Sequence, residues 1–408
     1  MKLSKWELAM QSAVQGVVLK GGVAAVAFLL LFVNAFQAHA QATKIQQSEQ
    51  HLQPAGDTAE HDTFGNAVAV SGNTMIIGAQ GADGNSFDTG AAYIFDRIGN
   101  TWVQTAKLFA ADGKGPQTSI NGGADQFGVS VGISGDIAVV GAPSHSHPGF
   151  TRNSGAVYVF QRANGSWIQQ AELLSPTPSS QGTFGAQGLG ISGNTIVAGD
   201  AGNPANFFTS AVDVFTRTDG GWTLTTTLTV PDDFSFEVSS VAIDGKTVVV
   251  GSTGSDAPSA FFAGKVYVFR FSEGRWSGLA ALTADDATTG ANFGTSVGIS
   301  GNLIVVGASF GPGATAQSGA AYIFGGEEGV WSQKAKLNSS DGLDRDSFGE
   351  SVGISGRAVF VGAPSHTPAA GLGAGSAYVF QAMDGRWLQT AELLAGDGIA
   401  FGDFGISV

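Results

Sequence analysis

FGESVGISGRAVFVGAPSHTPAAGLGAGSAYVFQAMDGRWLQTAELL, residues 348–394, is the clearest of six copies of one unit, and its reading decides the fold. Within it SVGIS (351–355) reaches a glycine and returns as AVFVGA (358–363), two short apolar runs joined by a turn, as in a β-hairpin. A third run carries Tyr378 and Phe380, whose spacing puts both rings on one face of a strand. Trp387 follows seven residues after that phenylalanine and Leu393 six residues later, in a fourth run. The pattern predicts a four-stranded meander.

Working outward, the opening Phe-Gly or a relic of it recurs at Phe64, Phe127, Phe184, Phe236, Phe293, Phe348 and Phe404, with intervals of 63, 57, 52, 57, 55 and 56 residues. Turn glycines stand at Gly72, Gly135, Gly193, Gly245, Gly301 and Gly356, and a second glycine follows each after six residues. All five tyrosines occupy the place of Tyr378, and in the third copy Asp213 stands there instead. Aromatics that recur in every unit read as packing between units rather than as a stacking platform for bases or sugars. Four-stranded units of this length, burying their faces against neighbours of the same kind, make an all-β propeller of four-stranded blades. The third and fourth copies depart together: each has one extra residue between its phenylalanine and its first strand's isoleucine, for which a β-bulge is expected.

Residues 1–40 differ in kind. Lys2, Lys5 and Lys20 precede an apolar run at 23–33, and Ala38-His39-Ala40 has the form of a signal peptidase site. A cleaved secretory signal is therefore expected, leaving residues 41–63 as an N-terminal segment and 64–408 as the propeller, with blades starting near 64, 127, 184, 236, 293, 348 and 404. The formal charge is -14, and the expected signal carries more lysine than acid, so the exported chain is more acidic still. Such a surface repels phosphate backbones and anionic lipid, which argues against nucleic-acid binding and against membrane attachment through charge. With no cysteine there is no disulfide, thiolate metal site or cysteine nucleophile.

The two ends read together. Residues 45–52 precede Phe64 much as Leu337 precedes Phe348, as a lone fourth strand would, and FGISV at 404–408 is the start of a first strand. The expectation is a seven-bladed ring whose last blade is incomplete in this sequence, a fragment of a longer protein; the alternative is a six-bladed ring.

Phe-Gly, Gly141-Ala142-Pro143, Gly362-Ala363-Pro364 and the Gly-Ala-Ala-Tyr-Ile-Phe strands at Gly90 and Gly319 resemble the FG-GAP repeat of the integrin alpha-chain propeller, and most of all that of exported bacterial proteins. The resemblance implies seven blades, ligand binding on one face and calcium in some hairpin loops. The calcium loop of that family needs Asp-x-Asp-x-Asp-Gly between first and second strands, whereas here that place holds turns such as Ser134-Gly135-Asp136. Integrin-type calcium sites are therefore not carried over.

The connections from second to third strand and from fourth to first vary in length, and a meander brings both to the same side. The longest, 109–126, contains Asp112 and Asp125 and leads into the copy whose long second loop carries His145 and His147. Those histidines are candidate ligand-face or metal-binding residues or a solvated pair, and His366 takes the place of His145 in another copy. Asp341, Asp344 and Asp346 are candidates for a calcium ion or are turn formers. No nucleophile elbow, zinc-protease helix or phosphate loop is present. The expectation is a secreted, periplasmic or surface-displayed scaffold, not an enzyme, that binds an extracellular protein or glycan through this side. The alternatives are a carbohydrate-active hydrolase or lyase using loop carboxylates, and a purely structural domain of a longer exported protein.

Overall fold

In a computed structural model, the residues described are 14–19, 28–29, 47–54, 62–114, 124–146, 154–178, 183–186, 188–200, 210–229, 238–258, 260–327, 329–368, 373–396 and 402–408. Six four-stranded antiparallel sheets account for residues 68–108, 130–173, 189–229, 240–282, 293–337 and 351–393, each with its strands in sequence order. We number these blades one to six. First strands of successive blades lie side by side, and so do the fourth strands of blades one to three and of blades four to six, so the sheets follow one another radially as propeller blades.

The alternation within strands explains the sheets. The second strand of blade two, Ile137–Ala142, and most of the third, Ala156–Ala163, are buried on both faces, whereas the fourth, Ser166–Leu173, alternates exposed and half-buried before ending on buried Leu173. That last strand is the blade's outer edge. Asn164 and Gly165 both take positive φ (52° and 80°), the two-residue hairpin geometry that matches strand twist.

The core lies between blades. Phe127 packs its ring 5.5 Å from Tyr158 and 6.0 Å from Phe160, in a buried cluster that also holds Ile76, Ile94 and Leu108 of blade one. Its N–H donates to the Thr89 carbonyl of blade one at 3.1 Å. Phe348 and Phe404 bond in the same way to Ser318 and Ala374. Close approach makes the glycines obligatory: a Cβ on Gly141 would collide with the carbonyl of Gly185, the Phe-Gly glycine of the next blade. The turn serines tie blades together too. Ser71 Oγ accepts from the Gly135 N–H (3.0 Å), Ser134 from Gly193 (3.0 Å), and in blade four Asp244 takes the serine's place and accepts from Gly301 (2.7 Å).

The structure corrects one expectation. Among the described residues there are six four-stranded sheets, as the six-bladed alternative has it, and not seven. The reason lies in what flanks them. Gln47–Leu52 lies against the fourth strand of blade one, and Leu52 is buried with Phe64 as Leu337 is with Phe348, but its strand partner is Val14–Leu19, in parallel. At the other flank Phe404 is buried against blade six, and Gly405 accepts from Ser351 Oγ at 2.7 Å, without forming a sheet of its own. Leu189–Ser192 pairs with its neighbour with no register shift, so the extra residue of blade three, for which a bulge is expected, lies ahead of that strand in a stretch that includes Gln187, outside the described residues. For blade four the corresponding stretch lies partly outside the described residues, and Ser240–Asp244 also pairs without a shift. A bulge does exist elsewhere, in every blade, where third and fourth strands shift register at the third-strand phenylalanine, as between Val159 and Phe160.

Candidate functional site

The second-to-third and fourth-to-first connections meet on one side of the propeller. Asn85 Nδ2 donates to the Ala111 carbonyl at 3.1 Å, and backbone bonds join Gly290 to Phe261, Phe310 to Ala291 and Arg345 to Gln317. On this side stand all the exposed phenylalanines among the described residues: Phe87, Phe109, Phe261, Phe262 and Phe310, with Phe261 70% exposed and Phe262 56%.

Two side-chain clusters of the same design sit at the junction between blades. In blade two, His145 just after the second strand is buried to 1% exposure, edge-on to the Tyr158 ring at 5.9 Å. Its Nδ1 lies 2.8 Å from Oδ2 of buried Asp125, which also accepts the Lys114 N–H at 2.7 Å. The opposite ring nitrogen, Nε2, faces two more carboxylates, Asp112 Oδ2 and Glu172 Oε1, each at 3.5 Å, and has no hydrogen-bond partner. The Tyr158 hydroxyl donates to the other oxygen of Asp112 at 3.0 Å. Blade six repeats this. His366 Nδ1 is 2.7 Å from Asp346 Oδ2, its Nε2 is 3.7 Å from Asp341 and 3.9 Å from Glu392, and Tyr378 donates to Asp341 at 2.9 Å.

The electrostatics follow from this crowding of acids. Burial disfavours a charge on His145, but the Asp125 bond and the charges of Asp125, Asp112 and Glu172 outweigh it and raise its pKa. Burial, and then the nearby carboxylates, push Tyr158 and Tyr378 well above the ordinary phenol range, so both remain donors. Glu392 is raised by burial and by Asp341.

Blade five holds a natural contrast. There Gly311 replaces the histidine, Ala291 the buried aspartate and Lys336 the glutamate. Lys336 Nζ sits 2.6 Å from Asp286 Oδ2, while Tyr322 donates to Asp286 Oδ1 at 2.9 Å. A fixed ammonium thus stands where the other two blades have acids facing an imidazole nitrogen. Blade three differs again: Asp213 replaces the tyrosine, is fully buried, and accepts from Thr227 at 2.6 Å with its second oxygen unpartnered. Burial, and secondarily the charge of Asp200, raises it to about 6.

The structure therefore gathers Asp112, Asp125 and His145, and it puts Asp341 and Asp346 on opposite edges of the His366 ring. Asp344 stays exposed on the turn, apart from them. Asp346 also accepts the Leu343 N–H at 2.6 Å, the turn-forming role considered for it. His147 lies outside the described residues. Sequence reasoning missed Glu172 and Glu392, which belong to the regular fourth strand. Their signal was the residue just before the constant leucine, charged in four copies as Lys107, Glu172, Lys336 and Glu392 and paired across the strands with the tyrosine.

A family model described as FG-GAP repeat matches residues 48–95, 102–160, 276–324 and 331–380, together half of the chain. Each matched stretch begins in a fourth strand and ends on the third-strand phenylalanine of the next blade, so Gln47–Leu52 is matched as a fourth strand as well. The units left unmatched belong to the atypical third and fourth blades. No curated protein matches the chain.

Proposed function

This chain belongs to the FG-GAP repeat family, and on that premise we propose that it is an exported binding scaffold, without chemistry of its own, that holds an extracellular protein or glycan on the loop side of its propeller. The observation that carries this reading is the gathering of every exposed phenylalanine described on that side, above a core that spends its other aromatics on packing. Exposed aromatics on loops fixed by a rigid scaffold are the usual anchors of recognition. Export is supported by the lysine-flanked apolar run and Ala38-His39-Ala40, and among the described residues no helix is long and apolar enough to cross a membrane. The acidic surface disfavours nucleic acid as the partner.

The test is capture on arrays of glycans and of extracellular protein fragments. Whatever the chain captures is expected to be lost from the Phe261→Ser, Phe262→Ser double variant, with affinity falling about 30-fold or more, as for an aromatic anchor. Its melting temperature should hold, because both rings are exposed. Capture that survives the double variant, or no capture at all, contradicts the proposal.

A further inference from the structure

We propose that Asp112, His145 and Glu172, and again Asp341, His366 and Glu392, form a pair of sites for a divalent transition-metal ion of the zinc type.

Four observations carry it. First, the donor atoms of each trio lie within 4.8 Å of one another, and in blade two two of the spacings are 3.5 Å. Ligands about 2.1 Å from a tetrahedral ion stand about 3.4 Å apart, so a small inward turn of the two carboxylates completes the set. Second, His145 Nε2 is buried, unpartnered and aimed at both carboxylates. A buried polar atom of this kind calls for a ligand, an ordered water or a proton.

Third, the surrounding groups are those that orient metal ligands. Asp125 on Nδ1 fixes the tautomer that leaves the Nε2 lone pair free for a cation, and the Tyr158 hydroxyl holds one Asp112 oxygen while the other faces the histidine. Asp346 and Tyr378 do the same in blade six. Fourth, blade five shows the same geometry with its own cation, the Lys336 ammonium, bound to Asp286. The two blades with histidine have instead three carboxylates about one imidazole. The Lys114 ammonium, in the connection that carries Asp112 and Asp125, is bonded to the Ser146 carbonyl, and blade six has Leu343 in that place.

An imidazole nitrogen among the donors favours zinc, copper, iron or nickel over calcium, which takes oxygen alone. Asp112 is 48% and Asp341 43% exposed, which gives an ion a way in from the loop side. With three protein ligands, the remaining position falls to water.

The experiment is zinc titration of the full chain by calorimetry, with thermal melting in parallel. The expected result is two equivalents bound and a higher melting temperature. Glu172→Lys with Glu392→Lys, which places in both blades the ammonium that blade five already has, should abolish binding while the zinc-free protein melts no lower. Asp125→Asn should weaken one site 10- to 100-fold and leave the other unchanged. Absence of binding, or two equivalents retained in the double lysine variant, overturns the proposal. So does a melting temperature that responds to pH between 6 and 8 but not to zinc, which would make a proton the occupant of Nε2. Capture of a protein or glycan is a separate readout, so failure here leaves the binding-scaffold reading standing.

Discussion

Truncating Phe127 to alanine is expected to destabilise the protein by about 3–5 kcal/mol, the loss typical of a fully buried phenylalanine. The ring is wholly buried and sits between two sheets, touching Tyr158 and Phe160 of its own blade and sharing a cluster with Ile76, Ile94 and Leu108 of the blade before. The cavity cannot collapse easily. The backbone on either side is pinned by the Phe127–Thr89 and Gly128–Gly141 bonds, and neighbouring sheets approach too closely to slide, as the Gly141–Gly185 contact shows. Phe262→Ala, on the loop side and 56% exposed, serves as the control and should change stability by less than about 0.5 kcal/mol. Denaturant unfolding checks both. A Phe127→Ala loss below about 1 kcal/mol would mean that the blades do not depend on these wedges.

The second large effect concerns Asp213. Its ordinary pKa is 3.8 and burial raises it to about 6 in the folded chain, so between these values the folded state holds a proton that the unfolded state has released. Stability is therefore greatest below about pH 4 for this group and falls as the pH rises through 6, reaching a cost on the order of 3 kcal/mol at pH 7. Asp213→Asn keeps the shape and the Thr227 bond, needs no charge, and removes repulsion with Asp200. The variant is expected to be more stable at pH 7 by roughly 2–3 kcal/mol and to lose the part of the pH slope between 4 and 6 that this residue supplies. Equal stability of the two proteins across pH 4–7 would show that Asp213 is not desolvated as described.

Much of this was legible in the sequence because repetition amplifies it. One Tyr-x-Phe pattern proves little, whereas the same pattern locked to a turn glycine, a tryptophan and a leucine in copy after copy leaves only a radial stack of meanders. Repetition also hid things. The fourth-strand bulge is present in every blade, so it left no irregularity in the spacings. The Ser-Gly turns read as plain turns lacking carboxylates, while the serine hydroxyl is in fact an acceptor for the neighbouring blade's turn. For the site, the shared place of His145 and His366 was visible, as were Asp112 and Asp125 in the long connection. Glu172 and Glu392 were not, because a lone charged residue near the end of an outer strand looks like solvated edge. Only the pairing of third and fourth strands turns it toward the histidine. Asp344 was grouped with its neighbours by spacing along the loop, whereas the turn at Leu343 and Asp346 separates them.

The claim that this propeller engages its ligand through the loop side is tested most directly by blocking one side at a time. The chain has no cysteine, so a single Phe262→Cys or Lys246→Cys substitution gives one attachment point for a maleimide polyethylene glycol. These positions lie beyond opposite ends of the strand Thr247–Ser252, one in the second-to-third loop and the other in the exposed first-to-second turn. The account predicts that the polymer at position 262 abolishes capture of the array-identified ligand and that the polymer at position 246 leaves it intact. The reverse pattern, or loss at neither position, would contradict it.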